Sequence, residues 1–219
     1  MNSGVVKLEK SVLKSLYDFD KKYMHEHGII CGIDEAGRGP LAGDVYAAAV
    51  VFDEDTVIDG INDSKKLTAK KREYLFDIIC EKAKAFSIAT ASVEEIEEIN
   101  ILNAAMLAMY RAYDDISQKL DINYVLVDGN RMPKQLNHMG EPIVKGDAFS
   151  QSIAAASILA KVARDRYAVR LDYLYPEYGF ARHKGYGTKL HIENILKYGP
   201  CDIHRKSFLK KILGKQKDE

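Results

Sequence analysis

The stretch "GIDEAGRGPLAGDVYAAAVV", Gly32 to Val51, decides how the rest of the chain is read. An apolar approach, "IICGI", runs into two acids, Asp34 and Glu35; a Gly-Arg-Gly turn follows, and then a second apolar segment, "DVYAAAVVF". Short apolar runs bounded by glycines read as strands. A buried strand does not ordinarily run straight into two carboxylates, so their position asks for a partner of opposite charge. The glycines add a second clue, because without Cβ atoms the backbone N–H groups can approach an anion closely. The loop is no Walker A, since no Gly-Lys-Ser/Thr follows. Nor is it a dinucleotide fingerprint, since a β-like segment stands where the helix should begin.

Outward from this stretch, "FSIATAS", "INYVLVD" and a short "PIVKG" read as further β segments. Helical patterns lie between them. "TAKKREYLFDIICEKAKA" starts on a Thr68 cap and places Tyr74, Leu75, Ile78 and Ile79 on one face. "SVEEIEEINILNAAMLAMYRAYDDISQKL" repeats Ile99, Leu102, Met106, Tyr110 and Tyr113 at helical spacing, as one long helix or two consecutive ones. The Ala-rich "AFSQSIAAASILAKVARDRYAVRLDYLY" must end before Pro176; its small residues suit close packing on a sheet and its Arg/Asp alternation a solvated face. Val12, Leu16, Phe19 and Tyr23 mark one more amphipathic helix near the N-terminus. The expectation is one α/β domain over 1–177, with a basic helical segment over 178–219.

Composition narrows the function classes. The 219 residues are 47% hydrophobic and 29% charged, as in a soluble globular protein. The longest apolar run, Val45 to Phe52, is far short of the ~20 residues of a membrane helix, and no signal-peptide pattern opens the chain. Three cysteines, Cys31, Cys80 and Cys201, without metal-binding spacing, point to a reducing compartment; a cytoplasmic monomer without membrane contact is expected. With 32 basic and 32 acidic residues the formal net charge is zero, so any attraction to a polyanion must be local. It is local in fact: Arg182 to Glu219 holds ten Lys/Arg against four Asp/Glu.

Three carboxylates fall at the expected ends of β segments: Asp34 after "IICGI", Asp128 after "INYVLV" and Asp147 after "PIVKG", with Glu35 as a fourth. Singly, each has a plain alternative, Asp147 as a helix cap, Asp128 as a turn residue, Asp34 and Glu35 as an exposed turn pair. Together they would form an oxygen-only site suited to a hard cation, because ligands gather at strand ends in open α/β sheets. Carboxylates crowded together repel unless a cation neutralises them. Two divalent ions there would suit phosphodiester hydrolysis.

"GIDEAGRGPLAGDVYAAAVV" resembles the opening signature of the ribonuclease HII family, and "NDSKKLTAKKRE", "INILNAAMLAMYRA", "VLVDGN", "IVKGDAFSQSIAAASILAKVARDR", "HKGYGT" and "HRKSF" resemble that family in the expected order. The resemblance implies a ribonuclease H-like fold, a central mixed sheet flanked by helices. It implies an endonuclease that hydrolyses the RNA strand of RNA/DNA hybrids, and also incises duplex DNA 5′ to embedded ribonucleotides, leaving 5′-phosphate and 3′-hydroxyl ends. Catalysis and binding of Mg²⁺ or Mn²⁺ would then fall to Asp34, Glu35, Asp128 and Asp147. Gly37, Arg38 and Gly39 would contact the ribose, with Arg38 more a phosphate contact than a catalyst and a salt bridge as its alternative. Tyr186 would stack at the RNA-to-DNA junction. Ser64 and Lys65 would lie near the nucleic-acid backbone, and Lys145, Lys184 and the basic C-terminal segment are further phosphate contacts. The similar type HIII carries Glu at the fourth acidic position and a long N-terminal domain; Asp147 and the roughly thirty residues before the signature favour type HII.

His183 and His204 read as polar surface or packing residues, and Ser150 and Ser152 as helix residues. Two other classes compete. One is a catalytically silent nucleic-acid-binding module on the same fold; the other, weaker, is a nucleotide-binding protein built around the glycine loop.

Overall fold

A computed structural model describes residues 16–214. Its centre is a five-stranded sheet: β1 (Ile30–Ala36), β2 (Val45–Val51), β3 (Ala85–Ala91), β4 (Tyr124–Asp128) and β5 (Gly140–Ile143), in the order β3-β2-β1-β4-β5. The β1–β2 and β2–β3 pairs are antiparallel; β1–β4 and β4–β5 are parallel. The sheet is therefore mixed, and its parallel half ends where the acids lie.

Alternation along the strands sends side chains to two cores. Cys31, Ile33, Ala47, Ala49, Val125 and Val127 face α3 (Val93–Ser117), while Ala48 and Val50 face α4 (Gln151–Leu174) and α2 (Ala69–Lys82). The alanines of α4 let it lie almost on the strand backbone. Closest approach is at Gly32, where a Cβ would overlap the Ser152 carbonyl carbon and the Ile153 nitrogen. A helix over 16–27, α1, buries Leu16 and Asp20, and its Tyr23 hydroxyl donates to Glu141 at 2.6 Å; Val12 lies outside the described residues.

Local chemistry sets the helix ends. Thr68 accepts from Lys71 N–H to start α2, Ser150 accepts from Ile153 N–H to start α4, and Ser92 with Glu95 forms a capping box at α3. The α3 pattern resolves into two helical stretches, because Asn100 sits at φ 65°, ψ 162° and breaks the ladder. Its side chain then accepts from Leu102 and Asn103 N–H, restarting the helix. On α2, Leu75 and Ile79 are buried as expected, but Tyr74 flanks the stripe and is exposed, with the Lys71 ammonium over its ring.

After α4 come α5 (Phe180–His183), α6 (Lys189–Tyr198) and α7 (Lys206–Gly214). They share a small core, in which Tyr178, Phe180, Ile195 and Leu209 pack on Leu171 of α4 and on Ala42 of the β1–β2 loop. No helix among the described residues is long and apolar enough to cross a membrane.

Candidate active site

The four acids occupy one end of the parallel strands. β1 pairs with β4 only as far as Ile33↔Val127, yet continues along β2 to Ala36↔Tyr46. Asp34 and Glu35 therefore lie inside β1 rather than after it, which corrects the expected strand end. Asp128 closes β4. Asp147 lies in a 3-10 turn, Gly146–Ala148, between β5 and α4; Ser150 takes the cap of α4, so Asp147 is freed from that duty. The Asp147 N–H donates to Asp128 Oδ1 at 3.3 Å, tying the two together.

Electrostatics show how tightly the acids are confined. Asp34 is only 4% exposed. Burial holds its carboxyl well above the usual range, and the charges of Glu35 and Asp128 push it further; the Ser157 hydroxyl and the Glu35 N–H, 2.7 Å away, favour the ionised form. Burial also raises Glu35, against the opposing pull of the Arg38 guanidinium at 3.2 Å. Asp147 is pushed up to about 6 by burial and by Asp128 and Asp63, with Lys65 Nζ, 3.6 Å from Oδ2, offsetting part of this. Lys65 feels the whole group: burial alone would lower it, but Asp147, Asp34, Asp63 and Asp128 together raise it.

An oxygen-only, partly desolvated set of carboxylates, of which Asp34, Glu35 and Asp147 are held above their usual range, fits a hard divalent cation, which would supply the missing positive charge. Among the described residues no three of them already converge on one point. Lys65 and Arg38 lie against Asp147 and Glu35 instead.

The glycine turn is built from beneath. Gly37 has φ 106°, and a Cβ on it would overlap the Arg164 guanidinium. Arg205, fully buried, donates to the carbonyls of Gly37 (2.7 Å), Pro40 (2.9 Å), Arg38 (3.1 Å) and Gly43 (2.9 Å). Arg164 donates to Asp44, Ala42 and Lys184 carbonyls. The carbonyls of Gly37, Arg38, Pro40, Leu41, Ala42 and Gly43 are thus taken, while among the described residues the Arg38 and Gly39 amides and the Gly39 carbonyl have no partner within the chain. What remains for a ligand is a set of N–H donors beside one carbonyl acceptor.

The other expected residues fall as follows. Tyr186, 44% exposed, stands beside Gly39. Arg38 takes the salt-bridge alternative with Glu35 while half of its side chain stays in solvent. Lys145 (φ 59°) and Lys184 (φ 53°) are both left-handed turn residues, the first exposed and the second half-buried. Ser64 is corrected: it is buried and bonds Ser157 Oγ at 2.8 Å, so its hydroxyl braces the residue behind Asp34 and does not face outward. His183 and His204 are buried packing residues, not surface ones. Arg164, read as part of a solvated face, is buried, and Arg205 is no part of a basic surface. Nothing in a single sequence distinguishes these two arginines from their exposed neighbours. Also unforeseen is a cleft of about 270 Å³ in which Leu102, Met106, Asn130 and Arg131 join Glu35, Arg38 and Asp128. In the sequence its apolar members, Leu102 and Met106, show only helical spacing.

A mixed five-stranded sheet, acids gathered where its parallel pairing stops and a rim of backbone donors and cations define a ribonuclease H-like nuclease. Residues 31–211 match the ribonuclease HII family, and the chain belongs to it. Ribonuclease HII of Caldicellulosiruptor bescii is 53% identical over 92% of this chain and 97% of its own length. The crystal structure of ribonuclease H2 from Pyrococcus horikoshii superposes with a TM-score of 0.69 at 27% identity, covering 87% of this chain and all of that one. Bst-RNase HIII in complex with Mn²⁺ shares the fold at 16% identity, TM-score 0.64, over 87% of this chain and 71% of that one. The chain is accordingly an endonuclease that hydrolyses the RNA strand of RNA/DNA hybrids.

Proposed function

We propose that this enzyme also incises duplex DNA on the 5′ side of a single embedded ribonucleotide, leaving 5′-phosphate and 3′-hydroxyl ends. Asp34, Glu35, Asp128 and Asp147 would hold Mg²⁺ or Mn²⁺. When bound, such ions activate a water and stabilise the leaving oxygen of an in-line displacement. The observation that carries this reading is the pairing of the confined acids with a loop whose flanking carbonyls are occupied and whose Arg38 and Gly39 amides and Gly39 carbonyl, among the described residues, have no partner. Those amides suit a 2′-hydroxyl, which both accepts and donates hydrogen bonds and distinguishes RNA from DNA. Tyr186, beside Gly39, would stack on the sugar of the next nucleotide. Lys65, Lys145, Lys184 and the exposed lysines of α7 would hold phosphates, giving the 178–219 segment a share in substrate binding. A cytoplasmic location would suit the three free cysteines.

The test is a DNA duplex carrying one ribonucleotide, incubated with and without divalent metal. Metal-dependent nicking 5′ to the ribonucleotide is expected. Equal cutting of an all-DNA duplex would defeat the claim.

A further inference from the structure

Three imidazoles and a thiol lie beneath the Tyr186 turn, and the chemistry above uses none of them. His191 is wholly buried and His204 and His183 nearly so. His183 stacks on His191 with ring centroids 4.2 Å apart. The polar contacts form one line: Cys201 N–H donates to His204 Nδ1 (3.0 Å), the two Nε2 atoms of His204 and His191 are 3.1 Å apart, and His191 Nδ1 is 2.9 Å from the Tyr186 carbonyl oxygen. The Cys201 thiol also lies 3.1 Å from His204 Nδ1.

The ends of this line dictate its protons. A backbone N–H can only donate, so His204 Nδ1 is an acceptor and its proton is on Nε2. A carbonyl can only accept, so His191 carries its proton on Nδ1, leaving its Nε2 free to accept from His204. One proton arrangement satisfies every contact, and both rings are neutral in it. A second proton on either ring would set two donors against each other. Burial lowers both groups to about 4, so the arrangement persists through neutral pH. The Tyr186 carbonyl thereby receives two donors, His191 Nδ1–H and Thr188 N–H at 2.8 Å. His191 is itself held by α6, whose Thr188 cap accepts from its N–H at 3.3 Å.

We infer that His191, oriented by His204, is a positioning residue for Tyr186: it fixes the Tyr186 backbone so that the ring stands at Gly39, and so sets how well the enzyme recognises a lone ribonucleotide. This rests on the reading of Tyr186 as the residue at the RNA-to-DNA junction.

The experiment compares kcat/KM on a single-ribonucleotide duplex with that on a long RNA/DNA hybrid, using one protein preparation for both, so that a reduced folded fraction cancels in the ratio. His191→Gln keeps a polar group toward His204 but loses the donor to Tyr186, whereas His191→Asn restores an N–H donor at the Nδ1 position. Loss of one buried hydrogen bond corresponds to about tenfold. His191→Gln should lower the single-ribonucleotide rate about tenfold relative to the hybrid, His191→Asn should recover most of it, and His191→Gln should add nothing to Tyr186→Ala. His191→Leu, which removes both bonds, carries the same expectation if the Gln variant does not fold. Equal losses on both substrates, or additive losses with Tyr186→Ala, would overturn the inference about His191. If Tyr186→Ala itself leaves the ratio unchanged, the junction role of Tyr186 is what fails.

Discussion

At the scale of single residues, the molecule places charge where water is scarce. Asp34 resists ionisation chiefly because it is buried, then because Glu35 and Asp128 are close. Asp34→Asn keeps the shape and removes the charge. It should cut the cleavage rate by about 10³-fold or more while raising the thermal midpoint in metal-free buffer, since a repelled carboxylate is gone. Unchanged cleavage would remove Asp34 from catalysis, and retained substrate binding with no cleavage would separate catalysis from mere docking. Asp20 behaves likewise away from the site: it accepts from Ser152 N–H at 2.7 Å, its Oδ1 has no hydrogen-bond partner among the described residues, and burial raises it from 3.8 to about 6. Its folded pKa exceeds its unfolded one, so the folded state binds the extra proton between these values. Stability from this group is full below about pH 4 and is lost as pH rises through about 6. Asp20→Asn should therefore gain stability relative to the parent on going from pH 4 to pH 7, by on the order of 2–3 kcal/mol. Urea midpoints of the two proteins measure this; a constant difference across pH would refute it.

At the scale of elements, close approach and strain do the positioning. α4 rests on β1 at Gly32 with backbone against backbone. Gly32→Ala has no flexible side chain to displace, so a loss of roughly 1–3 kcal/mol or more is expected by thermal denaturation. The break in α3 hangs on Asn100, whose φ of 65° with ψ of 162° is a backbone region otherwise held by glycine and whose side chain caps the second stretch. Asn100→Ala should cost about 1–3 kcal/mol, and Asn100→Gly distinctly less; equal costs would mean that the cap, not the backbone, dominates. Much at this scale was legible in the sequence. Thr68 as a cap, the end of α4 before Pro176 and the apolar face of α2 follow from local rules that need no distant partner. The continuation of β1 through Asp34 and Glu35 was not legible, because it depends on β2 outrunning β4 as a neighbour.

At the scale of the whole molecule, the C-terminal segment is less an appendage than the underside of the glycine loop. Residues 203 to 205 bond to Leu41 and Gly43, Ala42 bridges to His204, and Arg205 fills the loop. Truncation after Gly199 would remove Arg205 and Leu209 along with the surface charges, so it cannot isolate the role of those charges. Replacing the exposed Lys206, Lys210 and Lys211 with Gln can. If these three contact phosphates, affinity for a hybrid should fall and the slope of log K against log salt should shrink by up to about 3. An unchanged slope would make them only solubilising.

The amino-acid sequence by itself determined the α/β class, the order of the elements and the family, and it singled out four acids to test, because strand and helix periodicity, caps and ordered motifs are local properties of a chain. Only the tertiary structure decided which cations serve the surface and which serve the interior. Arg164 and Arg205 look in sequence like any other basic residue, and His191 and His204 like ordinary polar ones. Their roles come from carbonyls and rings brought near them by the packing of α4, α6 and α7 on the β1–β2 loop, and desolvation at those contacts is what turns a charge or an imidazole into a structural tie.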